Sequence, residues 1–358
     1  MKFRQLSVVI LAVASASAFG QFTAGNLAVT HVGDGTTSLS GLGNNVAIDE
    51  YTTAGSFVQS FAIPQTGPTP FSMTGNATAE GALSLSQDHT SLTFAGYQSA
   101  RLSSGTLAGS SASTVPRAIG QITYSGSYSF PVVSSSQFSA NSHRSSATDG
   151  ANNYWSLGVG QGVTYMGNTA SAAVIETAQT TLRVMNIVNG NLFFSAAATI
   201  SQVSGEPQSG TATPTVIINN TGGSSYDFAF NAGMTLAYVA DDRAFASGGG
   251  IQRWDFNGTS WSLTYTLNPG GTVGARGLAV DFSGANPVVF ATTTETSNNR
   301  LIKIVDTGVA SVETDLASAG TTRAFRGLDF TPQIVPEPST VALLCLASVG
   351  LLIFRRRK

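Results

Sequence analysis

The chain has 358 residues, of which 42% are hydrophobic and only 10% charged, well under the roughly 25% charge of ordinary soluble domains. Its polar surface must come from Ser, Thr, Asn and 39 Gly, a composition that suits exported β-rich proteins better than cytosolic enzymes. Net charge is −2, but six of the seventeen bases are Lys2, Arg4, Arg355, Arg356, Arg357 and Lys358; without these and Glu337 the body holds eleven bases against eighteen acids, about −7, with Lys303 its one lysine, and nucleic acid is excluded as a main partner.

Residues 1–18 form a three-part secretory signal: basic Lys2 and Arg4, an apolar run from Leu6 to Val13, then small residues ending in Ala16-Ser17-Ala18. Cleavage is expected after Ala18. The Sec translocon and signal peptidase are therefore the first partners, and the apolar run is expected to be a hydrophobic helix. The single cysteine, Cys345, lies outside the body, so the fold must stand without an internal disulfide. A chain this long buries enough apolar surface to do so.

Residues 19–334 read as an all-β extracellular domain. No 3.6-residue period persists between Phe22 and Thr331, whereas short β-branched and aromatic runs alternate with Gly, Asn, Asp and Ser clusters. Asn189-Gly190 and Asn257-Gly258 are strong turn signals. The clearest four-strand unit spans 227–267. A second begins at Gly277-Leu278-Ala279-Val280-Asp281, and the related Arg326-Gly327-Leu328-Asp329-Phe330 follows. First strands near 228, 277 and 327 give a period of about 50, in the range of β-propeller blades. Less regular units lie near 81–133, 144–176 and 182–218. The strand after Arg326 lacks three partners, which Asn26–Thr30, Val46–Glu50 and Ser56–Phe61 supply. The expectation is a propeller of six four-stranded blades, seven being the main alternative count, closed by a composite blade that removes the open edges. A pair of β-sandwiches or jelly rolls is the rival architecture.

At the C-terminus, Val335-Pro336-Glu337-Pro338-Ser339 precedes an apolar stretch from Val341 to Phe354, which with Ser339 and Thr340 makes a transmembrane segment over 339–354, and then Arg355-Arg356-Arg357-Lys358. Over 335–358 the sequence resembles the PEP-CTERM sorting signal of exosortase substrates. The basic end stays cytoplasmic, so Pro336-Glu337-Pro338 and everything before it face outward. An apolar core of about fourteen residues is short against the 17–25 of a lasting span, and suits a transient inner-membrane anchor. The resemblance implies processing by an exosortase near the motif, then a cell-surface or exopolysaccharide-matrix (biofilm) destination.

The body advertises little chemistry. His31, His89 and His143 lie far apart without paired-ligand spacing, and are expected as surface residues near turns; no metal site or cofactor is expected. Asp241-Asp242 beside Arg243 reads as a structural loop. The serines at 134–146 near His143 have no evident acid, and Gly158-Val159-Gly160-Gln161-Gly162 lacks the βαβ context of a nucleotide site. Arg276 and Arg326 each precede the Gly-Leu of a first strand, and Arg144 precedes a similar one. First strands line a propeller's channel, so these arginines are candidates to grip an acidic polysaccharide, the bland alternative being bonds to backbone carbonyls. The expected function is a non-enzymatic binding or structural module. A secreted propeller hydrolase or lyase acting on polysaccharide is the alternative.

Overall fold

The computed structural model describes residues 20–167 and 172–334. The signal segment, with Ala16 and Ala18, and the sorting tail, with Val335, Pro336, Glu337, Pro338 and Arg355 to Lys358, lie outside the described residues, as do both expected terminal helices. Among the described residues no helix is long and apolar enough to cross a membrane.

Twenty-four strands pair into six antiparallel four-stranded sheets. Blade one joins β24 (Ala324–Phe330) to β1 (Leu27–Val32), β2 (Val46–Tyr51) and β3 (Phe57–Ile63). Blade two comprises β4 (Leu83–Leu85), β5 (Ser91–Tyr97), β6 (Arg117–Thr123) and β7 (Tyr128–Ser134); blade three β8 (His143–Thr148), β9 (Tyr154–Gly158), β10 (Thr164–Tyr165) and β11 (Ala173–Val174). Blade four holds β12 (Met185–Val188), β13 (Asn191–Ala196), β14 (Thr199–Val203) and β15 (Thr215–Asn219). Blade five holds β16 (Ser225–Phe230), β17 (Leu236–Asp241), β18 (Gly250–Phe256) and β19 (Trp261–Leu267). Blade six holds β20 (Ala275–Asp281), β21 (Val288–Thr293), β22 (Arg300–Val305) and β23 (Glu313–Ser318).

The composite blade forms as the sequence implies, with Leu27 opposite Phe330 and Val29 opposite Leu328. Six apolar clusters occupy the six blade interfaces. Phe22, Ile48 and Phe61 meet Leu92 and Phe94 between blades one and two; Ile119 and Val132 meet Tyr154 between two and three; Trp155 and Leu157 meet Leu192 and Phe194 between three and four. Phe193 meets Phe228, Tyr238 meets Leu278, and Leu27 and Val29 meet Phe290 and Leu301 to close the ring. Two packed sandwiches would concentrate the core in two layers; a separate cluster at every interface is the signature of radial packing, in which each sheet buries both faces.

The two turn signals resolve differently. Asn189 and Gly190 take φ of 48° and 71°, the left-handed pair a two-residue hairpin requires. At Asn257-Gly258 the loop instead runs to Ser260, because the Asn257 side chain accepts the backbone N–H groups of Thr259 and Ser260 and builds an Asx turn.

Candidate functional site

The innermost strand of each blade, β4, β8, β12, β16, β20 and β24, faces the central axis. Four of them carry a β-bulge at one level: His143–Ser145 on β8, Ser225–Phe228 on β16, Ala275–Leu278 on β20 and Phe325–Leu328 on β24. A bulge inserts an extra residue and re-aims its side chain. The residues in these bulges include Arg144, Tyr226, Arg276 and Arg326. The three predicted arginines thus sit within their first strands, not ahead of them; Arg276 and Arg326 line one cavity, and Arg144 lies outside its lining but near enough to Tyr226 and Glu80 to interact with them electrostatically.

Close packing of the neighbouring blade explains the glycine that follows two of these arginines. A Cβ on Gly277 would lie 2.5 Å from the Arg326 carbonyl oxygen, and one on Gly327 would lie 2.2 Å from the Leu83 nitrogen. Neither blade tolerates a side chain there, so the Arg-Gly pair places the charge in the channel and the bare backbone against the next strand.

Arg326 is buried and donates through Nη2 to the Gly75 carbonyl at 2.7 Å. Arg276 donates to the Thr294 carbonyl at 3.2 Å and reaches Asp242 at 3.4 Å. Arg144 donates to the Leu182 carbonyl at 3.0 Å. The expected bland role as carbonyl donors is therefore real for all three, yet it leaves each incomplete: Nε of Arg144, Arg276 and Arg326 is buried with no partner among the described residues. Burial, then the charge of Arg276, lowers the Arg326 pKa to about 10, so it stays cationic at neutral pH. Burial also lowers that of Arg144.

Sequence reasoning missed four members of the site. Tyr226 lies between two cations, with the Arg183 guanidinium 4.3 Å and the Arg276 guanidinium 5.6 Å from its ring. Glu80 arrives from the loop between β3 and β4; its Oε1 accepts the Tyr97 hydroxyl at 2.7 Å and its Oε2 the Thr74 hydroxyl at 2.8 Å, and burial pushes its pKa up. Asp227 Oδ2 accepts the Leu278 N–H of the next blade at 3.0 Å, and burial holds its pKa well above the usual carboxylate range. Charged residues inside apolar strand runs, as in Ser225-Tyr226-Asp227-Phe228, were the available signal. Glu80, Tyr226 and Asp227 line, with Arg276, Arg326, Thr78 and Ala79, a cavity of about 20 Å³, room for about one water.

Asp329 repeats the Asp227 device on blade one, its Oδ2 accepting the Leu85 N–H at 2.7 Å; burial raises its pKa to about 7. The two acids clasp neighbouring blades around the axis.

The remaining sequence candidates are structural. Asp241 is buried among donors: burial pushes its pKa up, but Arg243 and the Ser224 N–H outweigh that and hold it low, leaving no vacancy for a cation. His143 is a correction to the expected surface histidine. It is fully buried in β8, its Nδ1 donating to the Gly96 carbonyl and its Nε2 facing the Ser156 hydroxyl; burial lowers its pKa to about 4, and no acid completes a triad. His31, in β1, bonds Asp49 at 2.8 Å in a cleft between blades one and six, but Ser60 donates to that same carboxylate and not to the imidazole, so the three do not form a relay. Gly158 ends β9 and Gly160 turns at φ 77°, with no helix following among the described residues. Among the described residues no cluster of His, Cys, Asp and Glu could hold a metal ion.

The architecture defines the class: an all-β, six-bladed propeller. Residues 335–358 match the family described as the PEP-CTERM protein-sorting motif, so the chain carries the signal of an exported protein sorted by an exosortase to the cell surface or beyond. No curated protein matches the chain. Among solved structures it is similar to a chain in a crystal structure of a nidogen/laminin complex (9% identity, 86% of this chain and 98% of that one, TM-score 0.51). It is also similar to a protein from Lactobacillus plantarum (12%, 85% and 99%, 0.48) and to the GH74 enzyme of Niastella koreensis (14%, 84% and 47%, 0.45). At such identities the likeness concerns fold alone.

Proposed function

We propose that this chain is a non-enzymatic binding and structural module of the cell surface or exopolysaccharide matrix, holding acidic polysaccharide at the arginine-lined mouth of its propeller. One asymmetry carries the reading. At that mouth the carboxylates of Glu80 and Asp227 already accept their hydrogen bonds, whereas Arg144, Arg276 and Arg326 each keep a buried donor without an acceptor. Unmade bonds to buried donors are costly, and a carboxylate or sulfate supplies the missing acceptor. The sorting tail fits the same role: a short span holds the body at the inner membrane only until an exosortase processes it.

A secreted hydrolase or lyase remains the second reading, favoured by Glu80 and Asp227, two acids with raised pKa facing one cavity. A glycan array and a polysaccharide-degradation assay on the mature protein separate the two. Binding of uronate-containing or sulfated chains without shortening them supports the module; release of reducing ends or unsaturated products supports the enzyme.

A further inference from the structure

The cleft between blades one and six follows from the side chains that blade one turns toward its neighbour. Near the axis, Leu27 and Val29 of β1 pack on Phe290 and Leu301. Farther out, the same face carries Ala47 and Asp49 on β2 and their cross-strand partners Ala62 and Ser60 on β3. Blades diverge with distance from the axis, so outer positions need large side chains to keep an interface closed. Between blades four and five, Trp254 and Trp261 fill that space. Between blades one and six, small side chains leave a cleft of about 510 Å³, walled on the blade-six side by Ser318 and Ala319. That lies within the roughly 300–1,000 Å³ of sites that enclose a small ligand.

The lining combines a file of rings with oxygen acceptors. Phe57, Tyr51, Phe325 and His31 follow one another edge to face, with centroids 5.6 to 5.9 Å apart, and Phe57 at the outer end is 57% exposed. The hydroxyl protons are already used: Ser60 donates to Asp49 and Ser318 to Asn298, which leaves both oxygens able only to accept. Asp49 also accepts from His31, and Asp34 accepts from the N–H groups of Thr36 and Thr37, so the carboxylates are occupied and offer a cation little. The one guanidinium in the lining, Arg323, is turned to the Asp34 carbonyl. An anion brings acceptors to a wall of acceptors, whereas a ligand rich in hydroxyl donors finds the partners it lacks. An exposed ring face suits the apolar C–H face of a pyranose.

We propose that this cleft binds a neutral sugar residue, stacked on Phe57, with its hydroxyls donating to Ser60 and Ser318 and the exposed Asn45 amide serving as donor or acceptor. The site is separate from the arginine-lined mouth and takes an uncharged part of a polysaccharide.

The test is calorimetric titration of the mature protein with neutral gluco-, manno- and galacto-hexaoses in α and β linkage. Saturable binding of at least one is expected. Phe57→Ala, at an exposed position, should weaken it about two- to tenfold, the worth of one aromatic contact, and Ala62→Trp, which fills the cleft, should abolish it. Leu263→Ala, which removes another exposed apolar side chain on blade five, should leave the affinity unchanged. If Ala62→Trp lowers the melting temperature, Phe57→Ala decides. No binding by any of the hexaoses, or equal affinity in parent and Phe57→Ala, overturns the cleft site. Polygalacturonate binding, which reads the mouth, is measured alongside, so that failure of one site leaves the other standing.

Discussion

Deleting residues 22–62 tests whether the ring depends on its composite blade. The segment carries β1, β2 and nearly all of β3, and it buries eight apolar side chains larger than alanine: Phe22, Leu27, Val29, Val32, Val46, Ile48, Tyr51 and Phe61. At roughly 1.5–3 kcal/mol for each large side chain the lost burial is about 12–24 kcal/mol, reduced somewhat because unfolded chains are already partly compact. That equals or exceeds the roughly 5–15 kcal/mol by which domains are stable. The deletion also strips β24 of its one blade partner and bares Phe325, Leu328 and Phe290. The truncated protein should aggregate, as an open edge beside exposed apolar surface does. Size-exclusion chromatography with light scattering, together with thermal unfolding, reads the outcome. A graded control is Leu27→Ala, fully buried at the closing interface, which should cost about 2–5 kcal/mol and lower the melting temperature by about 2 °C per kcal/mol. A truncated monomer melting within a few degrees of the parent would refute closure by the composite blade.

N-terminal sequencing of the exported protein should begin at Phe19; a retained Met1 would contradict the signal reading. In a host with an exosortase, mass spectrometry should place the mature C-terminus close to Pro336-Glu337-Pro338, and surface material ending at Lys358 would contradict a processed tail. Asp329 makes stability depend on pH. Its folded pKa of about 7 lies above the unfolded value of 3.8, so its contribution is complete below about pH 4, declines by about 1.4 kcal/mol per unit as pH rises and is fully lost above about pH 7. Urea unfolding between pH 5 and 8 should show a shallower decline in Asp329→Asn than in the parent; identical slopes would show that Asp329 is ionised in the folded state throughout.

Much of the ring was legible because its information is local. Period-2 runs marked the strands, and the orphan Arg326-Gly327-Leu328-Asp329-Phe330 implied a partner from the other end of the chain, which β1 supplies. The channel was only half legible. Arg276 and Arg326 stood out through their shared Gly-Leu context, but the bulges that aim them arise from register between neighbouring strands, which no single run encodes. Glu80 escaped notice because it lies outside any strand and reaches the mouth through a loop. Tyr226 and Arg183 matter through their stacking across two neighbouring blades, a contact that no single run encodes. His143 looked like a loop residue beside a serine-rich stretch; burial between blades two and three made it a neutral core hydrogen-bonder.

A crystal structure of the mature protein grown with selenate, a heavier analogue of sulfate, tests anion binding at the propeller mouth. Binding of acidic groups at the arginine-lined mouth predicts an anomalous peak beside Arg276 and Arg326 that is absent from Arg276→Gln. A mouth holding only water, with selenate elsewhere on the surface at the same concentration, would contradict it.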